Sequence, residues 1–228
     1  MPLLGRAAVA MWWDMAPTQR SEFQDWHSHE HFPERMSILG FLRGSRWANA
    51  DGGEGFFVIY ELADYETLTS VHYLARLNNP TPWSKKMMPH HRNMVRSQCQ
   101  VIDSHGGGLA NSMMTIRISP KAGGSETLRV FLADQLAVLP TRPGITGAHL
   151  LQTRTPDAQL TEEQKIRGGD AVADWIVLVS GYDPDELAKV GNNELGTAAL
   201  TGAGALPPEA YAIFNLVYSL SEQDLKRG

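Results

Sequence analysis

The sequence predicts an α+β chain built as two successive βαββαβ modules. Three observations carry that expectation. Short β-branched and aromatic runs alternate with amphipathic stretches across residues 1–105, in the order strand, helix, strand, strand, helix, strand. The same order restarts after the glycine run 106–108 and continues to residue 228. The halves also superpose in sequence: "GFLRGSRW" from Gly40 falls on "GITGAHLL" from Gly144, and "IYELAD" ending at Asp64 falls on "LVSGYD" ending at Asp183. The first match is offset by 104 positions and the second by 119. The difference is the length of "RTPDAQLTEEQKIRG" (154–168), which reads as a polar surface insertion.

Each element has its own justification. "RAAVAMWWDM" (6–15) is a compact apolar run ended by Pro17, which predicts the first strand. Thr18 or Ser21 is placed to cap the next helix, with Glu22 and Asp25 in its first turn, where carboxylates favour the helix dipole. Residues 40–48 alternate Phe41, Arg43, Ser45 and Trp47 against Leu42, Gly44 and Arg46, and "EGFFVIYELAD" (54–64) is rich in β-branched and aromatic residues. Both read as strands. "DYETLTSVHYLARLN" (64–78) reads as one helix with Leu68, Val71, His72 and Ala75 along its stripe. "NNPTPW" opens an irregular loop, and "NMVRSQCQVIDS" (93–104) closes the half as a strand. In the second half, strands are expected over 111–119, 143–153, 173–183 and 211–220, with helices over 125–140 and from Pro184. This split βαβ order is the ferredoxin-like arrangement.

Composition narrows the function. The chain has 228 residues, 43% of them hydrophobic, enough for a substantial core. A formal charge of −5 without a Lys/Arg run argues against a nucleic-acid partner and against a membrane surface. A single cysteine, Cys99, reads as a buried structural thiol and suits a reducing compartment. "MPLLGRAAVAMWWDM" is too short and interrupted to span a bilayer and lacks the regions of a signal peptide, so a cytoplasmic location is expected. "HGGGLAN" (105–111) lacks Gly-Lys-(Ser/Thr) and reads as a linker. Neither a nucleophile elbow nor a dinucleotide fingerprint is present.

The stretch "EFQDWHSHEHFPERMSILGFLRGSRW" (22–47) carries Trp26, His27, Glu30, His31, Pro33, Glu34, Arg35, Gly40, Phe41, Arg46 and Trp47. In that order they resemble a signature of the dimeric α/β-barrel superfamily, near its EthD-like and muconolactone-isomerase-like members. The stretch departs from the signature at Leu39, where proline is usual, and at His27 and His29, where tyrosine and an acidic residue are common. Outside it the likeness rests on element order. The resemblance implies two ferredoxin-like modules, 1–105 and 106–228, whose sheets face each other as a barrel within one chain. A second copy is then not needed to close the barrel, and further homodimerisation stays open. The resemblance implies a range of activities: isomerases, cyclases, cofactor-free monooxygenases and haem enzymes.

Three of the eight histidines lie in "DWHSHEHFPER" (25–35). On a helix, positions four apart share a face and positions two apart diverge, so His27 and His31 can converge and His29 cannot. Three readings stand side by side. His31 can be a buried anchor that holds the helix end on the strand at Gly40. His27 and His31 can be a catalytic pair. Or they can be metal ligands, completed by His90, His91, His72 or Glu30. As a pair with ordinary pKa values near ~6.5, one ring is expected neutral and the other charged at neutral pH, as base and acid require.

"NNPTPWSKKMMPHHRNM" (78–94) reads as a functional loop in which Trp83, Met87 and Met88 cover the barrel mouth and His90 or His91 approaches the site. Arg92 or Arg96 is available as a cation for a carboxylate or enolate, and Arg46 or Arg35 to orient an anionic substrate. The candidate catalytic residues are therefore His31, His27 and His91, with Trp26, Arg46, Trp83, His90 and Arg35 as substrate-binding residues. The second half, where Asp134 or Gln135 falls near the position of His31, is expected to act as scaffold or lid.

These readings favour a small-molecule enzyme of isomerase, lyase or cofactor-free oxygenase type, using histidine acid–base chemistry on a small aromatic or lactone-like metabolite. Six tryptophans and nine methionines are available to line an apolar cavity. No cofactor is expected, with haem or a divalent metal as the alternatives. The rival from another class is a non-catalytic ligand-binding or interaction protein on the same fold.

Overall fold

The computed structural model describes residues 3–154 and 161–226. The first half supplies β1 (Ala7–Asp14), β2 (Phe41–Asn49), β3 (Gly55–Leu62) and β4 (Arg92–Gly106). The second supplies β5 (Ser112–Ile118), β6 (Ile145–Thr153), β7 (Trp175–Gly181) and β8 (Ala210–Ser221). All neighbours pair antiparallel, and the eight strands close into a barrel in the order β1-β3-β2-β8-β5-β7-β6-β4. Around the ring, β4-β1-β3-β2 is followed by β8-β5-β7-β6, so each half builds the same four-stranded sheet. The seams β2–β8 and β4–β6 join the two sheets. Closure leaves no unpaired sheet edge among the described residues.

Two landmarks occupy equivalent places in the two halves. Gly40 and Gly144 each stand just before the second strand of their half, with φ of +96° and +85°. Only glycine enters that left-handed region without strain. Asp64 and Asp183 each follow the third strand, and each accepts backbone N–H bonds: from Thr67 in the first case, and from Asp185 and Glu186 in the second.

Helices cover the outside of the barrel. In the first half, α1 (Pro17–Trp26), a π turn (His27–His31) and α2 (Phe32–Met36) link β1 to β2. There α3 (Val71–Asn78) and α4 (Pro82–Met87) link β3 to β4. In the second half, α5 (Ser125–Val138) precedes β6, α6 (Glu162–Arg167) precedes β7, and α7 (Pro184–Asn192) and α8 (Thr197–Gly202) precede β8; α9 (Glu222–Leu225) follows it. No helix among the described residues is long and apolar enough to cross a membrane.

Strand alternation sorts the side chains into layers. From β1, Ala8, Ala10 and Trp12 enter the lumen with Phe57, Ile59, Ile176, Leu178 and Phe214. Val9, Met11 and Trp13 face the helices, where they meet Phe23, Trp26 and Phe32. Under α5 the equivalent layer is wholly apolar, with Leu128, Leu132 and Leu136 on Ile116, Leu150 and Val177. Cys99 is buried in the lumen, and burial pushes its thiol up to about 12, which makes it inert.

Some boundaries differ from the sequence reading. Residues 64–78 are a 3-10 turn (Glu66–Thr69) followed by α3, because Ser70 accepts the Tyr73 N–H and starts a new helix. That shift in phase buries Tyr73 and Leu77, while Val71, His72 and Ala75 are exposed. The loop after Asn79 contains α4, started by Thr81 accepting the Ser84 N–H. The first helix has neither Thr18 nor Ser21 as its cap; it begins at Pro17, whose missing N–H costs nothing there. Within the expected insertion, residues 155–160 lie outside the described residues. The remainder forms α6, and it is not a surface segment throughout, because Glu163 is buried by Arg35.

Gly44 on β2 sets how closely α2 approaches the sheet. A Cβ there would meet Phe32 Cε1 at 2.3 Å and Tyr60 Cε1 at 2.8 Å. Both rings are buried. Gly44→Ala is expected to lower stability by roughly 1–3 kcal/mol through overpacking, read from the urea midpoint at unchanged slope.

Candidate functional site

The stretch that carries the histidines is wound more widely than an α-helix. Phe32 N–H donates to the carbonyl of His27, five residues back. Pro33 follows; it has no N–H to give, and its ring clashes with the carbonyl four residues earlier, which favours the wider turn at this place. The turn stacks His27 on His31, with ring centroids 5.3 Å apart and 19° between planes. Trp26 lies 4.6 Å from the His31 ring. His29 points outward and is exposed, as its spacing predicted.

These rings line a cavity of about 30 Å3 between the outer face of the first sheet and its helices. The cavity is therefore outside the barrel lumen. Trp13, Trp26, His27, His31, His91 and Arg35 contribute to its wall, together with Tyr60, Tyr73, Met88, Met94, Arg96, Glu163 and Arg167. Its volume admits about two water molecules, so a metabolite enters only if the wall moves.

All three imidazoles are neutral. Burial pushes His27 well below its ordinary pKa, and the Arg46 cation adds to this; at His31 burial and Arg35 do the same. His91 is lowered to about 3 by burial and Arg167. The pair of one charged and one neutral ring expected from ordinary pKa values is disfavoured, first because the rings are buried and then because guanidinium groups lie beside them. The approach of Glu34 Oε2 to His31 Nδ1, 3.9 Å, is thus a contact and not an ion pair.

Hydrogen bonds fix two tautomers. Arg46 Nη1 donates to His27 Nδ1 at 3.3 Å, so the proton of His27 is on Nε2. His91 Nδ1 is 3.2 and 3.1 Å from the Met87 and Met88 carbonyls, so it carries the proton and leaves Nε2 as a lone pair. His31 Nδ1, Tyr60 Oη and Trp13 Nε1 are buried without a hydrogen-bond partner among the described residues.

A charged network closes one side. Glu163 of α6 binds Arg35 of α2 and lies 3.7 Å from Arg167 Nη1. Asp170 holds Arg167 in two-pronged fashion, at 3.1 and 2.8 Å. Arg96 Nη2 donates to Tyr73 Oη at 2.7 Å. Burial disfavours the charge on Arg35, but Glu163, Tyr73 and Glu34 outweigh it and raise its pKa. Arg35, Arg96 and Arg167 face Glu163 on the wall, with Glu34 on Arg35 and Asp170 on Arg167, so the network is close to charge-balanced.

The structure therefore gathers His27, His31, His91, Trp26 and Arg35 at one cavity. Four other candidates fall elsewhere. Arg46 sits behind His27 and also donates to Ser28 Oγ at 3.0 Å. Trp83 packs over α1, with Nε1 3.3 Å from Glu22 Oε1. His90 is the residue before His91 and is not part of the wall. Arg92 pairs with Glu54 at the surface. The expected role of the second half as scaffold or lid becomes specific in α6, since Glu163 and Arg167 reach the cavity. The signal was present in "LTEEQKIRGG", where Thr161 and Gln164 form a capping box and Gly168 ends the helix at φ +86°.

The metal reading does not fit. Among the described residues no group of three or more His, Cys, Asp or Glu is arranged to hold an ion. Glu30 is taken by Trp26 Nε1 at 3.1 Å and Thr81 Oγ1 at 2.5 Å, and His72 is exposed. Three guanidinium groups would further repel a dication.

No family model and no curated protein matches the sequence. Solved structures do match its shape. A candidate monooxygenase from Fusobacterium nucleatum superposes with a TM-score of 0.63 at 9% identity, over 95% of each chain. The chain has the dimeric α/β-barrel fold, closed within one polypeptide. An anthrone oxidase-like protein matches at 0.63 and 12% identity, over 95% of this chain and 93% of that one. A haem-binding protein from Thermus thermophilus matches at 0.51 and 10% identity, over 100% and 98%. At these identities the likeness establishes the fold alone. The cavity of this barrel does not fit haem as packed: it admits about two waters, and the His31 ring is flanked by His27 and Trp26.

Proposed function

We propose that the helix-side cavity is the active site of a cofactor-independent enzyme. It removes a proton from a small, flat organic acid, aromatic or lactone-like, and holds the anion so formed. The observation that carries this reading is the convergence of three neutral imidazoles with three unpartnered polar atoms, His31 Nδ1, Tyr60 Oη and Trp13 Nε1, on one wall. Buried polar groups without partners are rare in folded proteins, and a ligand's polar groups would satisfy them.

His91 is the base, because its Nδ1 proton is committed to backbone carbonyls and Nε2 is free to accept. The negative charge that develops on substrate oxygen meets the guanidinium N–H groups of Arg35, Arg96 and Arg167 on the wall. Tyr60 stays protonated, since burial raises its pKa, and acts as a donor to that oxygen. His27 and His31 hold the flat substrate, with Arg46 as a positioning residue that fixes the His27 tautomer. The resulting carbanion or enolate then isomerises, eliminates or reacts with dioxygen. The monooxygenase and the anthrone oxidase-like protein of the same fold support the last route. We also read the chain as a duplicated pair of modules, 1–105 and 106–228, and its single thiol as fitting a reducing, cytoplasmic setting.

The test is turnover of aromatic acids, anthrones and lactones, followed by absorbance and by oxygen uptake. His91→Gln is expected to lower kcat by about 100-fold or more while the melting temperature stays within a few degrees. The pH profile should show its acid limb well below the usual imidazole range. Binding of these compounds without any turnover would leave a ligand-binding protein instead.

A further inference from the structure

A second cavity, of about 180 Å3, opens at one end of the barrel lumen. Trp12, Asn49, Asn93, Thr115, Arg117 and Phe214 lie on its wall, and Trp13 borders both this cavity and the helix-side one. The alternation of β5 explains why a cation is there. Met114, Ile116 and Ile118 pack beneath the helices, so Thr115 and Arg117 turn into the lumen.

Arg117 is unusual among the buried or half-buried arginines of the chain. Its guanidinium lies over the Trp12 ring, 5.4 Å from the centroid. Its Nε is buried without a hydrogen-bond partner, and the side chain makes no ion pair among the described residues. Glu209 is near enough for its charge to support the Arg117 cation but forms no ion pair with it, and Asp14 accepts from Asn93 Nδ2 at 2.7 Å. A guanidinium stacked on an indole keeps its N–H edges free for a planar acceptor.

The surroundings complete a recognisable set. Thr115 Oγ1 accepts the Trp12 Nε1 proton at 3.2 Å, so its own hydroxyl proton remains to be donated. Trp12 stacks on Phe57 at 4.9 Å, and Phe57 lies 5.9 Å from Phe214, giving a continuous aromatic wall. Asn93 has φ +54°, the one non-glycine residue with positive φ among the described residues, and it stands beside a bulge between Trp12 and Asp14 in the β1–β4 pairing. Backbone held in that region clusters at ligand sites.

We propose that the lumen cavity binds a small planar monocarboxylate, its carboxylate gripped by Arg117 and Thr115 and its flat body against Trp12 and Phe214. One guanidinium matches one carboxylate. The charge of Asp14 on the same wall disfavours a dianion such as phosphate. The cavity is smaller than a typical drug-sized pocket, which sets the ligand at the size of a substituted benzoate. This site is independent of the proton-transfer reading of the helix-side cavity.

The experiment titrates the full chain with benzoate and, separately, with inorganic phosphate. Intrinsic tryptophan fluorescence and calorimetry report binding. Benzoate is expected to bind and to quench Trp12, and phosphate to bind at least tenfold more weakly. Arg117→Gln should weaken benzoate by roughly 10-fold or more, from loss of a charged two-pronged contact. Arg117→Lys, which keeps the charge and loses the planar fork, should fall between. Arg129→Gln, on the exposed face of α5 and outside both cavities, should leave the affinity unchanged. The proposal is overturned if benzoate does not bind, if phosphate binds as well, or if Arg117→Gln and Arg117→Lys both bind like the wild type. It is equally overturned if Arg129→Gln loses binding to the same extent as Arg117→Gln.

Discussion

Glu163→Gln is expected to destabilise the chain by roughly 3 kcal/mol, the low end for breaking a buried ion pair. Glu163 and Arg35 are each 3% exposed, so neither charge can turn to water when its partner is lost. Glutamine keeps the shape and one acceptor oxygen, and what disappears is the charge opposite Arg35 and Arg167. Glu34, 3.4 Å from Arg35, compensates in part, which is why the lower figure applies. For a chain of this length the melting temperature should fall by about 6–12 °C. The double variant Arg35→Met with Glu163→Met should recover most of the loss, because two apolar groups leave no buried charge and Asp170 still satisfies Arg167. A single variant within ~0.5 kcal/mol of wild type in urea would show that the pair does not hold α6 on the first module.

This pair also shows where sequence reasoning stops. The barrel was implied by the resemblance carried on residues 22–47, while alternation and turn glycines placed the strands, because those signals are local. The i, i+4 spacing put His27 and His31 on one face for the same reason. The partner of Arg35, however, is 128 positions away in sequence. A charged run such as "TEEQKIR" reads as solvated until something brings an opposite charge to it. The stripe proposed for 64–78 failed because Ser70 restarts the helix, and a periodicity argument assumes one continuous phase. His90 and His91 could not be told apart, since only the carbonyls of Met87 and Met88 decide which ring turns inward. The charge state of the histidines was beyond spacing altogether, as it depends on burial and on Arg46 and Arg167 arriving from other places in the chain.

Buried histidines make the fold labile to acid. Four histidines resist protonation in the folded chain: His27 and His31 well below the ordinary value, His91 at about 3 and His149 at about 4. Burial is the main cause in each case, followed by Arg46, Arg35, Arg167 and His105 respectively. In the unfolded chain the same groups take up protons near pH ~6.5. Below that pH the unfolded state binds more protons than the folded one, so stability falls as pH falls; above it the contribution is complete and flat. Each group contributes a slope of up to ~1.4 kcal/mol per pH unit, so four of them erode a typical total of ~5–15 kcal/mol within a few units. Glu34 and Glu61, raised by burial, work in the opposite sense only where carboxylates begin to protonate. The expected result is a urea midpoint that is level above pH ~7.5 and drops steeply below pH ~6. His149→Asn, far from the candidate site and hydrogen-bonded to Ser104, should reduce the slope by about one proton without affecting ligand binding. An anion bound beside His91 should move the drop to lower pH, because it stabilises the folded state and not the unfolded one. A midpoint that is level from pH 8 to 5 would mean that the rings take up protons in the folded chain as they do in the unfolded one, and the neutral state assigned to buried His91 would then be wrong.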